Sequence, residues 1–143
     1  MIKEFAQAWE KNKDKLEEHL AITPQSKYSE YKDLVKLLFD LVINPEINTY
    51  TEYRFDTEHM LVIDDGHYGG TQIFVLHRKT YEPNVEDYVY TNTYYGSCSG
   101  CDTLLNISMY DDGLPSEYQV KDYMTLCLHL LQKCVYMIDP EEN

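Results

Sequence analysis

Met60-Leu61-Val62-Ile63-Asp64-Asp65-Gly66-His67-Tyr68-Gly69-Gly70-Thr71-Gln72-Ile73-Phe74-Val75-Leu76-His77 is the stretch on which the fold turns. Two short runs of aliphatic, β-branched and aromatic residues flank a cluster of Asp and Gly, the pattern of paired strands about a turn. So short a connection cannot carry a crossover, and the strands are expected to be antiparallel. Neither run alternates with polar residues, so residues 60–63 and 73–76 are expected to be central and covered on both faces.

Working outward, the same character extends over residues 47–95, and four strands are expected at 48–55, 59–63, 71–77 and 88–95. Before them, Ile2, Phe5, Ala6, Trp9, Leu16 and Leu20 fall near one helical stripe. Thr23-Pro24 then reads as a cap and first helical position for a second helix, with Tyr31, Leu34, Val35, Leu38, Leu41 and Val42 on its apolar face and Asn44-Pro45 ending it. Near the other end, Ser116 and Gln119 have capping-box spacing. The helix they open is nearly apolar all round: Val120, Met124, Cys127, Leu131, Cys134 and Ile138 make one face, with Leu126, Leu130 and Met137 beside it. Such a helix is either central to the fold or part of a homo-oligomer interface. The expected architecture is one α+β domain over residues 1–143: an N-terminal helix pair, a four-stranded antiparallel β-meander and a C-terminal helix or helices.

The formal net charge of -13 removes ordinary phosphate-backbone binding, so direct nucleic-acid binding is not expected. The charge is uneven: residues 1–50 hold 7 Lys/Arg against 9 Asp/Glu, residues 51–143 hold 5 against 16. The second part therefore carries the acidic field and calls for a basic partner. No secretory pattern and no apolar stretch of roughly 20 residues is present, which points to a cytoplasmic protein without membrane association. There Cys98, Cys101, Cys127 and Cys134 are expected as thiols.

Chemistry concentrates in Tyr94-Tyr95-Gly96-Ser97-Cys98-Ser99-Gly100-Cys101-Asp102. Two sulfurs at this spacing suit one tetrahedral Zn²⁺, but a second short-spaced pair is missing, so the leading expectation is no cofactor, with zinc as the alternative. Cys127, His129 and Cys134 are the other candidate ligands, and His129 points away from Cys127 on a helix. A redox reading places Cys98 at the start of a helix over residues 99–109, where unpaired N–H groups would favour its thiolate, with Asp102 opposing this. An antiparallel setting is not the parallel βαβ context of thioredoxin-like proteins. A third reading has Gly96, Ser97, Ser99 and Gly100 simply forming a tight strand-to-helix turn.

Asp64, Asp65 and His67 could serve a divalent ion or acid–base chemistry, or could be plain hairpin residues; His59 and His77 could approach one edge. Tyr88, Tyr90, Tyr94 and Tyr95 could stack on bases, with Arg54, Arg78 and Lys79 as the nearby cations of a nucleotide-sequestering pocket, or could be cross-strand packing pairs. Serine-hydrolase and phosphate-loop signatures are missing from the sequence.

The segment Gly70-Thr71-Gln72-Ile73-Phe74-Val75-Leu76, followed by Tyr94-Tyr95-Gly96-Ser97-Cys98-Ser99-Gly100-Cys101-Asp102-Thr103-Leu104, resembles small uncharacterised proteins of bacteriophages and related mobile elements. The resemblance carries no catalytic residues. It implies a small acidic accessory protein that binds or inhibits host machinery, including anti-defence proteins and nucleic-acid mimics. The leading expectation is therefore a non-enzymatic binding protein. Glu82, Glu86, Asp87, Asp111 and Asp112 would face a basic patch of a host protein, and Tyr88, Tyr90, Tyr94 and Tyr95 would supply contact area. The alternatives are a thiol- or zinc-dependent enzyme at Cys98 and Cys101, or the nucleotide pocket with Arg54 and Arg78.

Overall fold

Helix α1 (Lys3–Ala21) forms where the apolar stripe predicts it, and it buries Phe5, Ala8, Trp9, Leu16 and Leu20. The computed structural model describes residues 1–47 and 53–138. Thr23 closes α1 rather than opening the next helix: its hydroxyl donates to the His19 carbonyl at 2.6 Å. A 3-10 turn (Gln25–Tyr28) follows, and α2 (Tyr31–Leu38) starts at Glu30, whose capping box with Asp33 satisfies the first free N–H groups. Thr23-Pro24 was thus the wrong start, because the Glu30–Asp33 pair competes for the same role. A π turn (Phe39–Ile43) and a 3-10 turn (Asn44–Glu46) end this arm.

Asn44 does more than stop a helix. Its side-chain amide donates to the Phe55 carbonyl at 3.0 Å and accepts from the Phe55 N–H at 2.9 Å, imitating a strand partner. Phe55 is fully buried, edge-on to Phe5 at 6.0 Å and Phe39 at 5.4 Å between ring centroids, so three aromatic rings join α1, the end of α2 and the approach to the sheet.

The sheet contains β1 (Leu61–Asp64), β2 (Gly70–His77), β3 (Tyr88–Tyr95) and β4 (Val135–Tyr136), all antiparallel in the order β1-β2-β3-β4. The α+β class with helices at both ends therefore holds. The strand membership differs. Of the strand expected at 48–55, residues 48–52 lie outside the described residues, and Phe55 makes a single bridge to Arg78. The fourth strand instead comes after the last helix, where Val135 and Tyr136 pair with Tyr90 and Val89. Two residues are too few for a sequence period to reveal.

Helices α3 (Thr103–Ser108) and α4 (Glu117–Gln132) complete the chain, and α4 begins with the Ser116–Gln119 capping box that the sequence predicts. Val120, Leu126, Cys127, Leu130 and Leu131 are buried within the one chain, while Asp122, Thr125 and His129 face outward. Val62, Phe74, Leu76, Val89, Thr91 and Tyr136 share the sheet face toward the helices. There the Thr91 hydroxyl donates to the Leu130 carbonyl at 2.6 Å, so this hydroxyl is buried without being orphaned.

No described helix is long and apolar enough to cross a membrane. Phe55→Ala should lower unfolding free energy by about 4 kcal/mol in urea denaturation, because it empties the centre of the aromatic cluster. Leu61→Ala, at an edge strand's exposed position, should cost less than about 1 kcal/mol in the same measurement.

Candidate functional site

Two features stand out once the side chains are in place: the turn after β3 and the sheet face away from the helices. Asp102 organises the first. It is the N-cap of α3, accepting from the Leu105 N–H at 3.1 Å and from the Tyr31 hydroxyl at 2.8 Å through one oxygen, and from the Gly96 N–H at 3.0 Å through the other. Tyr31 in turn accepts from the Leu104 N–H at 3.1 Å. This carboxylate, 7% exposed, closes the loop of residues 96–102 and fastens it to α2.

Within the loop, the Cys101 N–H donates to the Cys98 carbonyl at 3.0 Å, which makes Ser99 and Gly100 the centre of a turn. The two Sγ atoms are 2.8 Å apart and both residues are exposed. Neither thiol heads a helix, contrary to the expected placement of Cys98, because Asp102 holds the cap. The Cys101 thiol is held below the usual thiol range, first by hydrogen bonding from the Cys98 side chain and then by the Cys98 N–H at 3.1 Å. Cys127 and Cys134 are the opposite case: burial pushes both thiols up to about 12. Among the described residues no group of three or more His, Cys, Asp or Glu side chains converges as a metal site.

The turn between β1 and β2 uses its carboxylates structurally. Asp64 accepts from the Tyr95 hydroxyl at 2.6 Å, the Gly66 N–H at 3.0 Å and the Gln72 amide at 3.2 Å, while Asp65 accepts from the Thr71 N–H at 2.7 Å. These bonds hold the Asp64 carboxyl below its usual range. His67 is exposed. His59 pairs with Asp56, and the Asp56 N–H donates to the His77 carbonyl. His59 and His77 thus share the sheet end opposite to His67, and the histidines and the Asp64–Asp65 pair do not form one constellation.

The second feature follows from strand parity. Tyr88, Tyr90 and Tyr94 point away from the helices, whereas Tyr95 points to the inner side to meet Asp64. Around them on the outer face are Ile73 and Val75 of β2, Leu61 and Ile63 of β1, and Val135 of β4. Leu61 is 57% exposed and Ile63 46%, so the run 60–63 is neither central nor doubly covered. It forms an edge strand, and the absence of polar alternation reflects an uncovered apolar face. Chain folding, not residue pattern, decides which face receives helices.

The acidic candidates divide. Glu82, Glu86 and Asp87 lie in the β2–β3 connection, at one end of the outer face. Asp111 and Asp112 belong to the α3–α4 connection in the helical layer, which is tied to the α1–α2 connection by the Ser26 N–H to Asp112 carbonyl bond at 3.4 Å. There they line a recess of about 300 Å³ with Tyr28 and Tyr123, beside the buried Gln25. Gln25 accepts from the Tyr123 hydroxyl at 2.6 Å while its Nε2 has no partner among the described residues, a detail no sequence spacing signals.

No family model, curated protein or solved structure matches this chain.

For the nucleotide reading, Arg78 and Lys79 line a recess of about 300 Å³ with Tyr53, Tyr81 and Asp87. Arg78 is partly committed: its guanidinium lies 4.6 Å over the Phe55 ring and donates to the Tyr53 carbonyl. Arg54 and the strand tyrosines do not line that recess.

Asp102→Ala should cost about 3 kcal/mol in urea denaturation, since it removes a cap and leaves buried donors unpaired. Tyr31→Phe should cost about 2 kcal/mol, because the Asp102 carboxylate keeps its other donors but the buried Leu104 N–H loses its acceptor.

Proposed function

We propose that this chain is a non-enzymatic binding protein that docks through the outer face of its sheet. The observation that carries this reading is charge depletion. In a chain that is 26% charged, the outward strand positions of Leu61, Ile63, Thr71, Ile73, Val75, His77, Tyr88, Tyr90, Asn92, Tyr94 and Val135 include no Lys, Arg, Asp or Glu. Apolar and tyrosine-rich patches without charge are the composition of interface cores, and an uncovered patch of this kind marks a place where another surface belongs.

The sign of the surroundings selects the occupant. Asp64 and Asp65 flank one end of the face, and Glu82, Glu86 and Asp87 the other. A second copy would bring another net charge of -13 and a second acidic rim against the first. An apolar surface rimmed with Lys and Arg on a different protein is favoured instead, with the acidic loops speeding encounter and the tyrosines supplying the buried contact. The resemblance to bacteriophage accessory proteins supports a host protein in the cytoplasm as that partner, and inhibition as the outcome of binding.

The double variant Ile63→Glu with Tyr94→Glu should lose capture of a basic protein from host extract by about tenfold or more at low salt. Tyr118→Glu, a similarly exposed change on α4, should retain it. Equal capture by both variants would remove the sheet face from the reading, and light scattering showing a dimer that the double variant dissociates would replace the heterologous partner with a second copy.

A further inference from the structure

The exposed thiols are not needed by the docking face, yet they are placed for chemistry. We propose that Cys98 and Cys101 form a reversible thiol–disulfide exchange site, in which Cys101 attacks, Cys98 resolves, and a small disulfide of the glutathione class is the co-reactant.

Three structural features lead to this assignment. The 2.8 Å separation of the sulfurs and the closed backbone turn between Cys98 and Cys101 leave a short movement to the bonded length of about 2.05 Å. Gly96 supplies the room: a Cβ there would lie 2.7 Å from the Cys101 Sγ and 2.3 Å from the Cys101 carbonyl oxygen. The donors are asymmetric, since the Cys98 N–H donates to the Cys101 sulfur at 3.1 Å. The Cys98 side chain first, and this N–H second, hold the Cys101 pKa down, which raises its thiolate fraction at neutral pH. Asp102, the neighbouring carboxylate that the sequence sets against a thiolate, is turned inward and accepts from Gly96, Leu105 and Tyr31.

The chemistry balances in two steps. The Cys101 thiolate attacks one sulfur of the small disulfide, forming a mixed disulfide and expelling one small thiolate. Cys98 then gives up its proton and attacks the Cys101 sulfur, expelling the second. The protein loses two electrons and two protons, and the co-reactant gains both and leaves as two thiols. Cys127 and Cys134, buried and held as thiols, stay outside the exchange.

The test equilibrates the full chain in glutathione buffers of increasing oxidation, quenches with an alkylating reagent, and locates the label by peptide mapping. Cys98 and Cys101 should lose alkylation together, with the intact protein lighter by two hydrogens, and dithiothreitol should restore both. Under limiting iodoacetamide the reduced protein should be labelled at Cys101 about tenfold faster than at Cys98. Cys98→Ser should retain glutathione on Cys101, and Gly96→Ala should slow closure of the internal disulfide while circular dichroism confirms the fold. Glutathione adducts on both cysteines without an internal disulfide, faster labelling of Cys98, or a dithiol that persists in the most oxidising buffer would each overturn the assignment.

Discussion

Among the described residues α4 packs on one face of the four-stranded sheet and the other helices share the core formed there, and most other features follow from that arrangement. The inner face receives Phe74, Leu76 and Val89, all fully buried, and α4 crosses close enough for its Leu130 carbonyl to take the Thr91 hydroxyl. An antiparallel sheet tolerates such one-sided cover because its opposite face can meet water. Here that face is not polar, so the packing that builds the core leaves an apolar surface beside it.

The joint between the two layers is polar. Asp102 receives bonds from β3's exit, from α2 and from the first turn of α3, and it does so buried, where a carboxylate without donors would be costly. This tie also shapes the cysteine turn. By holding both ends of residues 96–102, it leaves Ser99 and Gly100 to turn the chain back and places the sulfurs together in solvent. The buried anchor and the exposed thiol pair thus have a common origin.

Charge and apolar surface are separated on the molecule in a way the composition does not convey. The acidic residues of the sheet region fall at its ends, with Asp64 as the last, inward-facing residue of β1 and Asp65 in the turn at one end, and Glu82, Glu86 and Asp87 at the other, while the outward strand positions between them are uncharged. In the proposed docking, long-range attraction and short-range contact would therefore fall to adjacent but different residues. The thiol pair sits at the sheet margin, near the Gly69 side of the β1–β2 turn, where a Gly69 Cβ would come within 3.7 Å of Gly96.

The α+β class, the α1 stripe, the Ser116 cap and the antiparallel hairpin about Asp64–Gly70 were legible in the residues, because each depends on a local period or a local hydrogen-bonding option. So was the short spacing of Cys98 and Cys101. The function of Asp102, read as an opponent of the thiolate, was not, because its partner Tyr31 lies 71 residues away. Nor was the two-residue β4, which exists only because α4 delivers Val135 and Tyr136 to the free edge of β3. The run of residues 60–63 shows the division most clearly. Its own residues determined that it would be a strand, through β-branched and aliphatic side chains that fit a pleated surface. Only the tertiary structure decided that it would be an edge with Leu61 and Ile63 exposed, because which face is covered depends on where distant helices pack.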